Sequence, residues 1–382
     1  MAAAKRILWL GAWFGSSELL RNRAISPAAN RWQRDLADGI IGQGFTLGRL
    51  GHEPWRVWPY GPLRIRSRTE KGNGLTTTLL GYWNLPRLRE VSLQRAYRHA
   101  AVVTGREGWE IALAYNLRKP NAVAGRILAG SGCSFVPILA DQDDLIPFWP
   151  EYERRARGAA GHIFLSDLLF RECRLSPKLH LDGGVLLDPH GMKPWSGSRV
   201  DRFRIVFSGT LGSWSGGDLL FKAFTELQGA EWELVLTGRV DGPGLAAIQK
   251  DRRIRYLGML EEDALREVCL SADAFVNPRD PLLPENQVNF PSKILEYLAW
   301  GRPVVSTWTL GLAPEYREIL QVVDPASPHG MAEAFRALRS WSGPDRDRYR
   351  DRLGKFLQTK QWGTQASGLG EWLRTKVRGG GR

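Results

Sequence analysis

Short apolar runs alternate with amphipathic segments along nearly the whole chain. The alternation begins again after a Pro-, Gly- and Ser-containing stretch at residues 188–198. Runs such as RILWLGAW (6–13), GWEIALAYN (108–116), CSFVPILA (133–140), GHIFLS (161–166) and KLHLDGGV (178–185) are too short for helices and read as buried strands. SPAANRWQRDLADGI between two of them reads as a helix opened by Ser26 and Pro27. A chain that repeatedly switches between the two periods satisfies both by laying helices over parallel strands, which predicts doubly wound α/β units. At 382 residues two such units with full cores are expected. Composition excludes wholesale disorder, since 43% of residues are hydrophobic and only 24% charged. The boundaries this predicts are 1–195 and 200–358, with a tryptophan-bearing amphipathic helix at about 361–378. The second unit would hold strands at 204–209, 232–238, 254–258, 273–278 and 303–307.

Residues 289–306, NFPSKILEYLAWGRPVVS, carry the densest chemical signal. Pro291 and Ser292 suit a first helical turn, because proline needs no amide partner there and a serine hydroxyl can cap free amides. Ile294, Leu295 and Leu298 supply a buried face, Gly301 a stop, and Pro303 prevents continuation. Lys293 and Glu296 stand three apart and share a side. Such a helix start could hold a nucleoside diphosphate, with amides and Lys293 toward the phosphates and Glu296 toward the ribose hydroxyls. The same residues could equally make an ordinary surface helix with an i,i+3 ion pair.

The segment resembles the donor-binding motif of family 4 glycosyltransferases of the GT-B fold. It is similar to a bacterial capsule and surface-polysaccharide branch that reads SFPSK, then EYLA, Gly, a basic residue and PVV. Asn277-Pro278-Arg279 matches the NPR of that branch. The resemblance implies two Rossmann-like domains facing across a cleft, with the C-terminal helix crossing back to the first. It also implies transfer of a sugar from UDP-, GDP- or another nucleotide-diphosphate sugar to a saccharide or lipid-linked acceptor, with retention. No cofactor and no metal are implied. An inactive scaffold at the membrane and a sugar-nucleotide epimerase are the rival readings of one fold.

Ligands of open parallel sheets gather beyond the strands' carboxyl ends. That edge would carry Gly209, Thr210, Gly238, Arg239 and Arg279, joined by Asn289, Pro291, Ser292, Lys293 and Glu296. The resemblance adds base recognition at Tyr256, Leu257 and Gly258. Each strand-end glycine alone is an ordinary turn former; the convergence is what points to a site. Two departures stand out. Val288 occupies the place of the family's earlier glutamate, and the usual Arg and Lys after the first donor-domain strand are replaced by Thr210 and Ser215. In the first domain Asp141, Asp143 and Asp144 could orient an acceptor hydroxyl and take its proton, or could simply complement a helix dipole. Tyr115 and Asn116 are candidates for acceptor contact, and Gly11 through Gly15 for approach to the donor sugar across the interdomain gap.

The net charge of +13 is concentrated early: residues 1–100 hold 16 Lys and Arg against 6 Asp and Glu. Arginine interleaves with Trp55, Trp58, Tyr60 and Trp83, a mixture suited to the head-group region of an anionic membrane. A solvated basic face and a polyanion site use the same residues, but no helix-turn-helix, zinc or RNA-binding motif favours nucleic acid. Cys133, Cys173 and Cys269 are scattered, odd in number and outside any metal-ligand spacing, as buried thiols in a reducing compartment would be. The start, Lys5-Arg6 followed by ILWLGAWFG, faintly mimics a signal peptide, yet it is short and glycine-punctuated. A cytoplasmic protein, at the inner face of the cytoplasmic membrane or free of it, is the expectation.

Overall fold

A computed structural model describes residues 5–15, 22, 24–72, 75–141, 148–187 and 202–377. The chain folds as two compact units, Met1–Gly184 with Trp362–Arg382, and Val185–Gln361. Val185 forms a parallel bridge with Gln361, and its amide donates to the Lys360 carbonyl at 2.8 Å, so both crossings are paired within the second unit.

The first unit is built from β1 (Arg6–Leu10), β2 (Thr46–Gly51), β3 (Arg64–Ile65), β4 (Arg68–Gly72), β5 (Leu75–Leu79), β6 (Tyr82–Trp83), β7 (Ile111–Tyr115), β8 (Ser134–Leu139), β9 (His162–Phe164) and β10 (Lys178–His180). Eight of these form one sheet in the order β10-β9-β8-β7-β1-β2-β5-β4, parallel except for β4 against β5. β3 and β6 make a separate antiparallel ribbon, with Arg64 opposite Trp83 and Ile65 opposite Tyr82. Ile7, Trp9, Leu10, Ala112, Leu113 and Ala114 are fully buried, so the central strands have both faces covered, as their continuous apolar runs require. The helix Pro27–Gly42 covers one side; Ser26 caps it, its hydroxyl accepting from Ala29 N at 3.4 Å. The last helix, Trp362–Thr375, packs on that first helix within the same unit, with the Trp362 ring edge-on to Trp32 at 5.7 Å.

The second unit carries β11 (Phe203–Leu211), β12 (Trp232–Val240), β13 (Ile254–Tyr256), β14 (Ala274–Asn277), β15 (Val304–Thr307) and β16 (Gln321–Val323). All are parallel, in the order β13-β12-β11-β14-β15-β16. The β11–β12 ladder runs from Phe203 opposite Trp232 to Leu211 opposite Val240. Both strands therefore continue past 209 and 238, where the sequence placed their ends: Gly209 and Gly238 face each other inside the ladder. The core below them is one cluster that includes Ile205, Phe207, Leu220, Phe224, Leu234, Leu236, Val276, Val305 and Phe335. All three cysteines are free and buried; burial pushes the Cys133 and Cys269 thiols up to about 12, which leaves them inert. Among the described residues no helix is long and apolar enough to cross a membrane.

Candidate functional site

In the second sheet the chain winds outward one way through β12 and β13 and the other way through β14, β15 and β16. The connections following β11 and β14 therefore leave in opposite directions, and a crevice opens at the carboxyl ends of these neighbours. Here β11 supplies Gly209 and Thr210, the segment just after β14 supplies Pro278 and Arg279, and the helix Lys293–Ala299 supplies Lys293.

That short helix is held by its apolar face: Ile294, Leu295, Tyr297 and Leu298 are buried. Tyr297 stacks flat on Phe275 of β14, centroids 4.6 Å apart at 8°. Its hydroxyl donates to the Ser208 carbonyl and accepts from the Ser208 amide, both at 3.0 Å. Lys293 precedes Tyr297 by four residues and so shares its side of the helix. With Tyr297 locked to Ser208, the lysine is directed at the next stretch of β11. Its ammonium sits 4.5 Å from the Phe207 ring centroid. It also occupies the space beside Gly209: a Cβ there would stand 2.0 Å from Nζ. Gly209 has φ +134, a conformation side chains rarely adopt, so the backbone there requires glycine, and a side chain would also displace the lysine's flexible end. Burial, then Arg279, lowers the Lys293 pKa to about 8, while Glu296 pulls it partly back. Glu296 is thus close enough to favour the charged lysine.

The rest of the wall is backbone. Gly216, at φ +84, lies so close under Pro278 that a Cβ would meet its carbonyl oxygen at 1.6 Å. This contact was not foreseen, although the Gly-Gly pair 216–217 is the kind of signal that marks a close approach. Ser215, which stands where the resemblance looks for a cation, is buried and turns inward: its hydroxyl bridges the Gly212 amide (2.8 Å) and carbonyl (3.1 Å). Thr210 and Arg239 are exposed and opposite each other in the ladder. On the far side Tyr256 is exposed and its hydroxyl donates to the Gly238 carbonyl at 2.9 Å. Leu257 N donates to Leu236 O, and Gly258 O accepts from Gly238 N at 2.7 Å, so two main-chain groups of this stretch are already spent on β12.

The N-terminus of the helix corrects one expectation. Ser292 has φ −50 and ψ −28, a helical conformation, and makes no side-chain cap. A capping hydroxyl reaches the N2 or N3 amide from an extended residue, which Ser292 is not. Pro291 is buried, Ser292 exposed, and Asn289 half-buried beside Gly311, where a Cβ would lie 2.6 Å from the Asn289 carbonyl.

The first sheet has its own switch point, between β1 and β7. Asn116 follows β7 at φ +53, and its side-chain oxygen accepts from the amides of Ala140 (2.9 Å) and Asp141 (3.1 Å). Its Nδ2 donates to the Asp141 carboxylate at 3.3 Å. Asn121 Nδ2 donates to the carbonyls of Tyr115 (2.9 Å) and Asn116 (3.1 Å). Tyr115 is half-buried against Trp32, centroids 5.4 Å apart. Gly11 sits against Trp9 and Gln33, where a Cβ would lie 2.4 Å from Gln33 Oε1, and Gly15 is exposed. Asp141 is exposed; Asp143 and Asp144 lie outside the described residues. The structure thus gathers Gly209, Arg279, Lys293 and Glu296 at one switch point, and Gly11, Tyr115, Asn116 and Asp141 at the other.

Residues 202–340 match the family described as "Glycosyl transferases group 1". No curated protein matches the chain. Among solved structures, Anabaena HepE in complex with UDP and glucose is similar at TM-score 0.67 and 14% identity, over 97% of this chain and 100% of that one. The lipopolysaccharide outer core galactosyltransferase WaaB matches at TM-score 0.67 and 11% identity, over 97% and 100%. An α,α-trehalose-6-phosphate synthase from Burkholderia multivorans matches at 0.65 and 13%, over 97% of each chain. The fold is that of these GT-B glycosyltransferases, two Rossmann-like domains with parallel sheets. The match lies within the second unit, and together with the fold it marks the chain as a transferase enzyme.

Proposed function

We propose that the chain transfers a sugar from a nucleotide-diphosphate donor to a saccharide or lipid-linked acceptor in glycoconjugate or polysaccharide synthesis, with retention. The observation that carries the reading is the Lys293 ammonium, held against Gly209 beside Arg279 at the β11–β14 switch point. Bound there, the donor's diphosphate meets Lys293 and Arg279, and the charge that grows on the leaving group is met by the same cations. In acyl transfer, one preorganised donor to a developing oxyanion is worth about 3–4 kcal/mol. Glu296 is assigned to the ribose hydroxyls, Arg239 and Thr210 to the outer phosphate edge, and the 256–258 stretch to the base. Gly238, Asn289, Pro291 and Ser292 shape the walls. Asp141, with Asp143 and Asp144, is assigned to the acceptor hydroxyl, and Gly11, Gly15, Tyr115 and Asn116 to the donor sugar and acceptor. The neighbour solved with UDP and glucose, and the lipopolysaccharide galactosyltransferase, support the donor class and a saccharide acceptor.

A second reading, an inactive scaffold, is favoured by Ser215, whose hydroxyl is spent on its own turn where a phosphate-neutralising cation is expected. Isothermal titration with UDP and GDP decides the first point. Binding of one nucleotide is expected, weakened roughly 10- to 100-fold in Lys293→Ala, the loss of one hydrogen bond to a charged group. Glu296→Ala should weaken it too, and titration with uridine in place of UDP should show no loss from Lys293→Ala. No heat with any nucleoside diphosphate would remove the donor site. Binding without sugar release over a broad acceptor set would favour the scaffold.

A further inference from the structure

A cavity lies within the first unit, and none of its lining residues is among those named at the β1–β7 switch point. The ribbon β3–β6 and the helix Leu88–Thr104 enclose a pocket of about 670 Å³. The two elements are clamped together by Ser92, whose hydroxyl accepts from the Trp83 amide at 3.0 Å and donates to its carbonyl at 3.2 Å. Leu88, Val91, Ser92 and Arg95 follow the i, i+3, i+4, i+7 spacing and so present one helix face to the pocket. The opposite wall carries Arg64 and Arg66, with Arg64 lying over the Trp83 ring at 5.2 Å.

Two properties set this lining apart from a solvated basic face. First, three arginines line the pocket and no carboxylate does. Among the described residues Arg64, Arg66 and Arg95 form no ion pair, whereas Arg68 beside them is taken up by Glu53 and Glu70. Second, the rim is apolar where a folded surface is normally polar: Leu88 is 53% exposed, Val91 45% and Trp83 45%. Guanidinium groups unpaired around a cavity call for an anion. Large aliphatic and indole groups beside them call for hydrocarbon at the same depth. A sugar phosphate satisfies only the first demand. A phosphate-headed lipid in a bilayer satisfies both, because its charge lies next to its chains.

We propose that this pocket binds the headgroup of an anionic phospholipid, seating the first unit on a membrane with Trp83, Leu88 and Val91 in the interface. The assignment goes beyond the donor site and does not depend on it. The probe is co-sedimentation of the full chain, without nucleotide, with vesicles of phosphatidylcholine containing 30 mol% phosphatidylglycerol. Pure phosphatidylcholine vesicles are the reference. Binding is expected to the anionic vesicles only. Arg66→Gln with Arg95→Gln should weaken it about 30-fold, taking roughly 1 kcal/mol for each arginine at the surface. Arg106→Gln with Arg157→Gln removes the same charge from exposed positions outside the pocket and should leave binding within about twofold. Both double variants should melt with the parent, since all four side chains are exposed. Equal binding to both vesicle types, equal losses from the two double variants, or no binding would overturn the proposal. So would retention by single-stranded nucleic acid, with no vesicle binding, that depends on Arg66 and Arg95. UDP titration on the same protein reports the donor site separately, so either reading can fail without the other.

Discussion

The two sheets share a switch-point topology, but they line it with different chemistry. Where β11 and β14 part, the wall is glycine and a buried cation: Gly209 and Gly216 bring backbone close, and Lys293 fills the space that a side chain at 209 would take. Where β1 and β7 part, the wall is amide-rich and carries the Asp141 carboxylate. Asn116 and Asn121 knit together the ends of the strands, and Gln33 and Asn30 bind the backbone after β1, the latter accepting from Phe14 N at 2.7 Å. Bare backbone and a cation suit a diphosphate, which carries its own acceptors and charge. Amides that both donate and accept suit hydroxyls, whose polarity is mixed. One topology thus serves as two kinds of receptor, with the division set by side chains alone.

The sharpest way to break the comparison is to put a methyl group where the second unit needs none. Gly216→Ala would drive a Cβ into the Pro278 carbonyl and hold a positive φ that alanine resists. A loss of about 3 kcal/mol in unfolding free energy is expected, because backbone on both sides cannot give way as a flexible side chain can. Chemical denaturation followed by tryptophan fluorescence measures it. Unchanged stability would mean that the loop after β11 is not seated as described.

The matching test in the first unit is smaller. Asn116→Ala removes the acceptor shared by the Ala140 and Asp141 amides and leaves alanine at φ +53. Two orphaned amides near a buried position imply a cost of about 2 kcal/mol. Asn116→Gly should recover the part due to the backbone conformation, and not the part due to the lost acceptor. Both variants should keep the parent's UDP affinity if nucleotide recognition belongs to the second unit. A drop in that affinity would mean that the division of labour is wrong.

What the sequence made legible follows the range of the forces involved. The strand–helix alternation and the Ser26 cap are written in local periodicity and local hydrogen bonding, and the chain obeys both. Gly209 and Gly238 were visible as an edge, although they turned out to lie within a longer ladder, since glycine tolerates the strained φ that continues it. The seat of Lys293 was not legible. It depends on Tyr297 reaching Ser208, 89 residues away in sequence. The β4–β5 pairing was missed despite Gly72-Asn73-Gly74 ahead of a Thr-rich run, a strong hairpin signal. Ser292 was misread because residue type suggests a cap where only backbone conformation decides one.

The finest test exploits a titration that amide side chains cannot show. With its folded-state pKa at about 8, Lys293 loses its proton well below the 10.5 of an unfolded lysine. Between those values the unfolded chain binds more protons than the folded one, so the lysine's contribution to stability rises with pH across that window. Below pH 8 the folded state carries the full cost of the buried charge. Nucleotide affinity should run the other way. A diphosphate favours the charged lysine, so UDP affinity should be level near pH 7 and fall towards tenfold per unit above pH 8. Proton uptake on binding should then appear as a titration enthalpy that changes with the buffer's ionisation heat. Lys293→Met should abolish both trends together, whereas Asn116→Ala should leave both in place. Affinity that stays flat through pH 9 in the parent would place the diphosphate away from this ammonium, and the contrast between a cationic and an amide-rich switch point would lose its functional meaning.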